Sequence, residues 1–226
     1  PPPAAPTRRQ PHPAPEQVLT RLSAAAVATI AAAYLIGAIP FGLLFSRWLT
    51  GKDPRRHGSG NIGATNAMRT GGKAVGILTL AADLLKGAIP VGLSVHWQVS
   101  EWLTAGIALA AFVGHCFPVY LAFRGGKGVA TMFGVVLPWQ PWIAVLAFAI
   151  WLLSLKLWRY VSVSSMLAAG SLPLLAWGFG SHPAFLASAG ALGLLTLIRH
   201  RTNIARLRRH EEPKVGQRDA HRLRAS

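Results

Sequence analysis

The sequence predicts an all-α integral membrane protein with seven transmembrane helices. Of its 226 residues, 52% are hydrophobic and only 13% are charged, whereas a soluble domain normally carries about 25% charged residues. The apolar residues are gathered into long runs separated by short polar segments, which is typical of chains that cross a bilayer repeatedly. The basic residues are concentrated in alternate polar segments, which is typical of a multi-pass topology.

Seven apolar runs predict the membrane spans. Several are shorter than the roughly 20 residues that a perpendicular helix needs, so tilted or re-entrant segments are expected. Fusing the fourth and fifth runs around the sequence LPWQPW would give a six-helix alternative. The runs cover residues 24–46, 74–95, 102–122, 128–138, 140–155, 162–178 and 183–198.

The positions of the basic residues predict the orientation. Residues 47–73, 123–127, 156–161 and 199–226 carry six, two, two and nine lysines and arginines, and the connections on the opposite side carry none. By the positive-inside rule the basic segments are cytoplasmic, so the N-terminus is outside and the C-terminus is in the cytoplasm. The net charge of +16 is therefore read as a topology signal, with membrane lipid and not nucleic acid as the partner of the basic tail.

The chain divides into one folded domain and two terminal segments. Residues 1–22 are rich in proline and alanine and are predicted to be a disordered extension. Residues 23–212 form the membrane domain, and residues 213–226 form a flexible basic tail. The single cysteine excludes an intrachain disulfide and a cysteine-based metal site. Neither an acidic cluster nor a haem or flavin motif is present, so no metal and no cofactor are expected.

The first polar segment, HGSGNIGATNAMRTGGK, covers residues 57–73. Glycines at this density allow positive φ, so that backbone amides can form a nest for an anion, while an arginine can clamp a phosphate. An ordinary cytoplasmic turn is the alternative, but such turns rarely contain so many short polar side chains. The candidate binding residues are Gly58, Ser59, Gly60, Asn61, Thr65, Asn66 and Arg69.

The second polar segment, FRGGKGVATMFG, covers residues 123–134. It fails the test for a nucleotide-binding P-loop, because Leu121 replaces the first glycine and Gly128 replaces the serine or threonine after Lys127. It still favours an anion, because a lysine precedes a predicted helix N-terminus. The candidates here are Gly125, Gly126, Lys127, Gly128 and Thr131.

The third polar segment covers residues 198–212 and contains His200, Asn203 and Glu212. His200 and Asn203 share a helix face, and a histidine at a membrane boundary can serve as a general base or bind phosphate. Ser162 begins the sixth predicted span on the same side. Asp83 and Lys86, three residues apart within the second span, are expected to neutralise each other.

All these segments lie on the predicted cytoplasmic side, at helix ends next to the hydrocarbon. A cationic, hydroxyl-rich site at that depth suits a substrate with a phosphate head and an acyl tail. A membrane transporter of a phosphorylated solute is the alternative. Against a transporter, the polar residues gather on one side, and Asp83 and Lys86 are the only charged residues within a predicted span.

The chain resembles the bacterial PlsY family of membrane acyl-phosphate:glycerol-3-phosphate acyltransferases. The resemblance extends over about residues 34–212 and is most specific at GSGNIGATNAMRTGGK. The other matching stretches are YLIGAIPFG (34–42), DLLKGAIPV (83–91), GHCFPVYLAFRGGKGVAT (114–131), RYVSVSS (159–165) and RHRTNIARL (199–207).

The resemblance implies transfer of a fatty acyl group from acyl phosphate to the 1-hydroxyl of glycerol 3-phosphate, giving lysophosphatidic acid and phosphate in the inner membrane of a bacterium. It also implies seven spans with the N-terminus outside. Ser59, Arg69, His200 and Asn203 would be catalytic, the glycine-rich second segment would bind acyl phosphate, and Glu212 would support the site. His200 or a substrate phosphate oxygen would be the general base, and direct attack competes with an acyl-Ser59 intermediate.

Two positions depart from the family pattern. Ala38 stands where the family commonly has serine, so this position cannot contribute a hydroxyl. His210 stands where glycine is usual, which leaves Glu211 as the alternative to Glu212 for the supporting acid.

Overall fold

The computed structural model describes residues 15–217, with side chains from residue 23 onward, and within this range every regular element is helical. Two short 3₁₀ turns cover Pro54–Arg56 and Val119–Leu121. The α-helices are α1 (Pro15–Ala38), α2 (Phe41–Thr50), α3 (Ala64–Gly71), α4 (Lys73–His96), α5 (Glu101–Cys116), α6 (Val129–Trp139), α7 (Pro141–Trp158), α8 (Val161–Gly178), α9 (Pro183–Arg199) and α10 (Arg201–Arg208).

Five helical segments in the described range are long and apolar enough to cross a membrane, so the protein is a multi-pass membrane protein. A sixth span is added if α9 and α10, which are bent by 53° relative to each other, are counted as one. The helix α6 is apolar but has only 11 residues. It ends at Trp139 and α7 begins at Pro141, so the fourth and fifth apolar runs form two separate helices.

The two terminal segments are described only in part. The helix α1 begins at Pro15, inside the range 1–22 that was predicted to be disordered, and the remainder of that extension lies outside the described residues. The first residues of the predicted tail lie against the α7–α8 connection. The Val215 N–H donates to the Arg159 carbonyl, and the Arg159 side chain donates to the Val215 carbonyl, each at 2.8 Å. The rest of the tail is likewise outside the described range.

The helices α4 and α6 approach each other closely because small residues lie between them. A Cβ atom on Gly134 would lie 2.1 Å from the Leu84 carbonyl oxygen, and one on Gly87 would lie 2.7 Å from the Thr131 carbonyl oxygen. The apolar core next to this crossing includes Phe112, which is completely buried. This close packing holds the N-terminal end of α6 against the middle of α4, and so forms the floor of the site described next.

Candidate active site

A cavity of about 320 Å³ lies where the N-terminal ends of α6 and α8 meet α3 and the α9–α10 junction. It collects residues from all three polar segments, although these are far apart in the sequence. Of the predicted site residues, those lining it are Ser59, Asn61, Thr65, Asn66, Arg69, Asp83, Lys127, Gly128, Ser162, His200, Asn203 and Glu212. The others, Gly58, Gly60, Gly125, Gly126, Thr131 and Lys86, lie outside its lining.

Asn66 organises the loop that precedes α3. Its side-chain oxygen accepts a hydrogen bond from the Ser59 N–H at 2.9 Å. Its side-chain nitrogen donates to the carbonyls of Pro54, His57 and Asn61, at 2.8, 3.1 and 2.8 Å. Because these bonds use both ends of a buried amide, the Asn66 side chain shapes the loop. The Ser59 hydroxyl, in contrast, has no partner among residues 23–217 and is free for a substrate.

Two glycines allow the loop before α3 to adopt the conformation that Asn66 stabilises. Gly58 and Gly60 have φ of +61° and +71°, a region that favours glycine, and a Cβ on Gly58 would lie 2.3 Å from the Asn66 side-chain oxygen. Thr65 and Arg69 follow on α3, one turn apart and therefore on the same face. Their side chains are exposed and line the cavity from α3.

The backbone of the second polar segment is held by Arg199, a residue that the sequence analysis did not single out. The Arg199 guanidinium donates to the Gly126 carbonyl at 2.9 Å and to the Gly125 carbonyl at 2.7 Å. The Gly126 N–H donates to the His115 carbonyl at 3.1 Å. The Gly126 amide is therefore not available to a ligand. Within this loop, the side chain of Lys127 brings positive charge to the cavity.

A chain of hydrogen bonds joins the second and third polar segments. The Lys127 ammonium donates to the Asn203 side-chain oxygen. The Asn203 side-chain nitrogen donates to Glu212 Oε1 at 2.6 Å, and Arg206 Nε donates to Glu212 Oε2 at 2.7 Å. Because an ammonium can only donate and a carboxylate can only accept, the orientation of the Asn203 amide is determined. Of the two neighbouring acids, Glu212 therefore lines the cavity, whereas Glu211 pairs with Arg209 at the surface.

Burial and neighbouring groups shift the pKa values of Lys127 and Glu212, the two ionisable ends of this hydrogen-bonded chain. Burial, reinforced by the positive charge of Arg206, lowers the pKa of Lys127 to about 8. Burial by itself would raise the pKa of Glu212, but the neighbouring Ser162 hydroxyl, together with hydrogen bonds from Asn203 and Arg206, holds that pKa below its ordinary value. Glu212 is thus ionised at neutral pH, and Lys127 can exchange a proton in the pH range of ordinary assays.

The side chains of His200 and Ser162 both line the cavity. His200 Nδ1 lies 2.8 Å from the Thr196 carbonyl oxygen, which can only accept, so Nδ1 carries the proton. In the neutral ring Nε2 is then an acceptor, and it has no partner within the described range. The buried Ser162 hydroxyl lies beside the Glu212 carboxylate, whose pKa it helps to lower. His200 Nε2 can therefore bind a substrate.

Asp83 joins the floor of the cavity to a buried polar cluster. Lys86 Nζ lies 2.7 Å from Asp83 Oδ1 and donates to the Ile39 carbonyl at 2.9 Å. The Thr131 hydroxyl donates to the Asp83 carbonyl at 2.9 Å, which ties α6 to α4. His115 Nδ1 approaches Asp83 Oδ1 at 3.6 Å, and His115 also lines the cavity. Lys86 and Thr131 thus position the floor from outside the cavity lining.

Three further polar residues line the cavity beyond the candidates chosen from the sequence, namely His115, Ser165 and Arg206. Ser165 follows Ser162 on the same face of α8 and could have been found from that spacing. The other two stand within apolar or generally basic surroundings, where their local sequence carries no signal. Within residues 15–217, no group of three or more His, Cys, Asp or Glu side chains could hold a metal ion.

Apolar side chains also line the cavity. Phe148 stacks on Trp151 with ring centroids 5.9 Å apart, and Phe133 meets Phe148 edge-on at 5.8 Å. Leu80 and Val161 line the same region. The cavity lining therefore combines cationic and aromatic side chains, a combination that accommodates an amphiphile.

Comparison with known proteins identifies the family of this chain. Residues 27–210 match the family model described as glycerol-3-phosphate acyltransferase. The chain belongs to this family. A glycerol-3-phosphate acyltransferase of Syntrophotalea carbinolica is 46% identical over 177 residues, which are 78% of this chain and 90% of the relative.

Two crystal structures of PlsY (YgiH), an integral membrane glycerol 3-phosphate acyltransferase, have the same fold. The glycerol 3-phosphate form superposes with a TM-score of 0.82 at 40% identity. The lysophosphatidic acid form superposes with a TM-score of 0.79 at 38% identity. Each comparison covers 85% of this chain and 96% of the other. The likeness to the PlsY family that the motifs indicated is therefore confirmed, and the family model matches residues 27–210.

Proposed function

We propose that this protein transfers a fatty acyl group from acyl phosphate to the 1-hydroxyl of glycerol 3-phosphate, giving lysophosphatidic acid and phosphate. The observation that carries the proposal is the single cavity that joins Ser59, Arg69, Lys127 and His200 to aromatic side chains. Its cationic side chains suit phosphate and its apolar side chains suit an acyl chain. The solved relatives, in glycerol 3-phosphate and lysophosphatidic acid forms, support this choice of acceptor and product.

Phosphate recognition follows from charge and helix direction. Arg69 and Lys127 bring positive side chains to the cavity, and the N-terminal turns of α6 and α8 begin at its edge. Unpaired amides and the helix dipole at such ends favour an anion. Arg69 can bind two phosphate oxygens at once, whereas Lys127 acts as a point charge that Asn203 holds in place.

The reaction is a direct displacement at the acyl carbonyl. The glycerol hydroxyl attacks, an ester C–O bond forms, the C–O bond to phosphate breaks, and phosphate leaves. His200 Nε2 accepts the hydroxyl proton, because Nδ1 is already committed to Thr196. The charges of Arg69 and Lys127 stabilise the departing phosphate, and the free Ser59 hydroxyl donates to the developing oxyanion. The donor is already activated, so no covalent enzyme intermediate is needed.

The proposed topology has seven spans, an external N-terminus and a cytoplasmic C-terminus. In this arrangement the short helix α6 is counted as a shallow span in addition to the six longer ones, which brings the total to seven. The cavity then opens on the cytoplasmic side of a bacterial inner membrane. The segments that carry 19 of the 23 lysines and arginines then lie on one side. Cytoplasmic and external labelling of single cysteines introduced at positions 50 and 98 would test it, after replacement of Cys116.

The activity test uses purified protein with palmitoyl phosphate and glycerol 3-phosphate. We expect phosphate release that depends on both substrates and yields lysophosphatidic acid, and Arg69→Gln should abolish it. The exposed Arg208, which lies outside the cavity lining, provides the matched control Arg208→Gln. If no phosphate were released while liposomes containing the protein took up glycerol 3-phosphate, the protein would be a transporter and the proposal would be wrong.

The displacement is tested separately from the overall activity. With radiolabelled palmitoyl phosphate and no acceptor, direct transfer predicts no labelled protein after denaturation. Labelled protein in the wild type that is absent from Ser59→Ala would establish an acyl-serine intermediate instead. The Ser59→Ala variant should retain measurable turnover if the hydroxyl only stabilises charge.

A further inference from the structure

A second cavity, of about 570 Å³, adjoins the first. Two short backbone stretches separate them, because Gly60 lines the second cavity while its neighbours Ser59 and Asn61 line the first, and Gly125 lines the second while Lys127 lines the first. Five arginines and one acid line this second cavity, which we call the arginine pocket. The arginines are Arg55, Arg56, Arg124, Arg199 and Arg201.

The single acid cannot neutralise these charges. Asp53 accepts from Arg47 at 2.9 Å and from Arg55 at 2.6 Å, so its carboxylate is already paired twice. Arg56, Arg124 and Arg201 have no side-chain partner among residues 23–217. These three exposed guanidinium groups bring uncompensated positive charge to one cavity, and an anion between them would be attracted by all three.

Two apolar side chains, Leu121 and Phe123, line the pocket beside the arginines. Phe123 and Tyr120, three residues before it, are 59% and 54% exposed. Ala122 and Phe123 both have positive φ, at +48° and +62°, a conformation that is unfavourable for residues with a Cβ. Two such residues in succession store backbone strain of the kind found at ligand sites, and here they hold an aromatic ring beside the arginines. The neighbouring cationic and apolar surfaces suit an amphiphile.

The first cavity already accounts for the proposed substrates, so the arginine pocket calls for a different ligand. We propose that it binds the headgroup of an anionic phospholipid, with the lipid chains against Tyr120 and Phe123. The phosphate would lie between Arg56, Arg124 and Arg201. This site goes beyond the proposed acyl transfer, since none of these residues lines the first cavity.

Occupancy of the pocket is coupled to the first cavity through Arg199. This guanidinium lines the pocket, stacks over Phe117 at 5.0 Å and holds the carbonyls of Gly125 and Gly126. A phosphate bound beside Arg199 immobilises the loop that carries Lys127. The lipid therefore stabilises the loop of the first cavity in its phosphate-binding position.

The test measures thermal unfolding of the full chain in maltoside detergent with soluble dihexanoyl lipids at equal concentrations. We expect dihexanoyl phosphatidylglycerol to raise Tm with a saturable dependence on concentration, because a ligand of the native state stabilises it. Dihexanoyl phosphatidylcholine should leave Tm unchanged. The rise in Tm should disappear in the double variant Arg124→Gln/Arg201→Gln. It should persist in the control double variant Lys156→Gln/Arg208→Gln, which lacks two exposed positive charges outside the pocket.

Two further arms exclude other sources of the rise. It should persist in Arg69→Gln, because loss there would place the headgroup in the first cavity and overturn the proposal. An equal rise with inorganic phosphate would show a free-phosphate site and would also overturn it. If the double variant does not fold, Arg56→Gln replaces it and should weaken the lipid dependence. The readout is binding, so it remains informative whether or not the protein transfers acyl groups.

Discussion

The side chain of Lys127 donates a hydrogen bond to the side-chain oxygen of Asn203, 76 residues further along the chain. Asn203 is in turn bound to Glu212, so that a loop before α6, the helix α10 and the segment after it form one unit. The lysine is held at the cavity with its charge partly compensated by a carboxylate that it does not touch. This arrangement makes the position and charge of Lys127 depend on residues from a distant part of the chain.

The first prediction concerns the two neighbouring acids. In Glu212→Gln a side-chain NH₂ group replaces one carboxylate oxygen, so either Asn203 or Arg206 loses its acceptor. A hydrogen bond to a charged group is worth about 1.5–3 kcal/mol, so kcat/KM should fall by about 10- to 100-fold. The matched control is Glu211→Gln, whose partner Arg209 is 63% exposed and whose activity should be close to wild type. Equal losses in the two variants would contradict the assignment of Glu212 to the site.

The second prediction concerns pH. Burial lowers the pKa of Lys127 to about 8, so the side chain is charged below that pH and neutral above it. If the charge binds phosphate, kcat/KM should fall as pH rises through about 8. Arginine stays protonated throughout this range, so Lys127→Arg should be less active at neutral pH but should lack this alkaline decline. The exposed control Lys156→Arg should keep the wild-type decline. If the decline of kcat/KM also remained at the same pH in Lys127→Arg, a group other than Lys127 would cause it.

The third prediction tests the proton acceptor. Removal of the imidazole in His200→Ala should lower kcat by about 100- to 10,000-fold, the usual contribution of general acid–base catalysis. His96, which is exposed at the C-terminal end of α4, provides the control His96→Ala, and this variant should keep wild-type kcat. Near-normal kcat with a raised KM in His200→Ala would show that a substrate phosphate oxygen takes the proton instead.

The fourth prediction separates two glycines. Gly128 has φ of +82°, and a Cβ there would lie 2.3 Å from the buried ring of Phe112. Gly128→Ala should therefore lower stability by about 1–3 kcal/mol through overpacking, and activity should fall with it. Gly170 lies within α8 with no atom inside 4 Å of an added Cβ. Gly170→Ala should raise stability by about 0.5–1 kcal/mol, because alanine is the better helix former. Thermal unfolding in detergent measures both changes, and a lower Tm for Gly170→Ala than for Gly128→Ala would contradict this account.

Much of the candidate site could be predicted because its polar residues are unusual for their surroundings. Ser59, Lys127 and His200 each stand in a polar segment beside an apolar run, and all three line one cavity. The orientation of individual side chains could not be predicted in this way. Thr131 lies one turn beyond Lys127 and has the same local character, yet it bonds to the Asp83 carbonyl. Only the close approach of α4 to α6 decides this.

Residues whose role depends on a distant partner also escaped prediction. Arg199 belongs to a run of basic residues, in which no local feature distinguishes it. Its function of holding the Gly125 and Gly126 carbonyls appears only when α9 packs beside the glycine loop. His115 stands within the apolar helix α5, where its sequence neighbours give no indication that it faces the cavity.

The sequence by itself determined the helical membrane class and the three segments that carry the polar chemistry, because hydropathy, charge and glycine content are local properties. The tertiary structure decided which polar groups meet. It joined Lys127 to Asn203, aligned Glu212 in place of Glu211, and left Lys86 and Thr131 as supports outside the cavity lining. The physical reason is that a helix determines which side chains share a face, whereas the packing of several helices determines what that face meets.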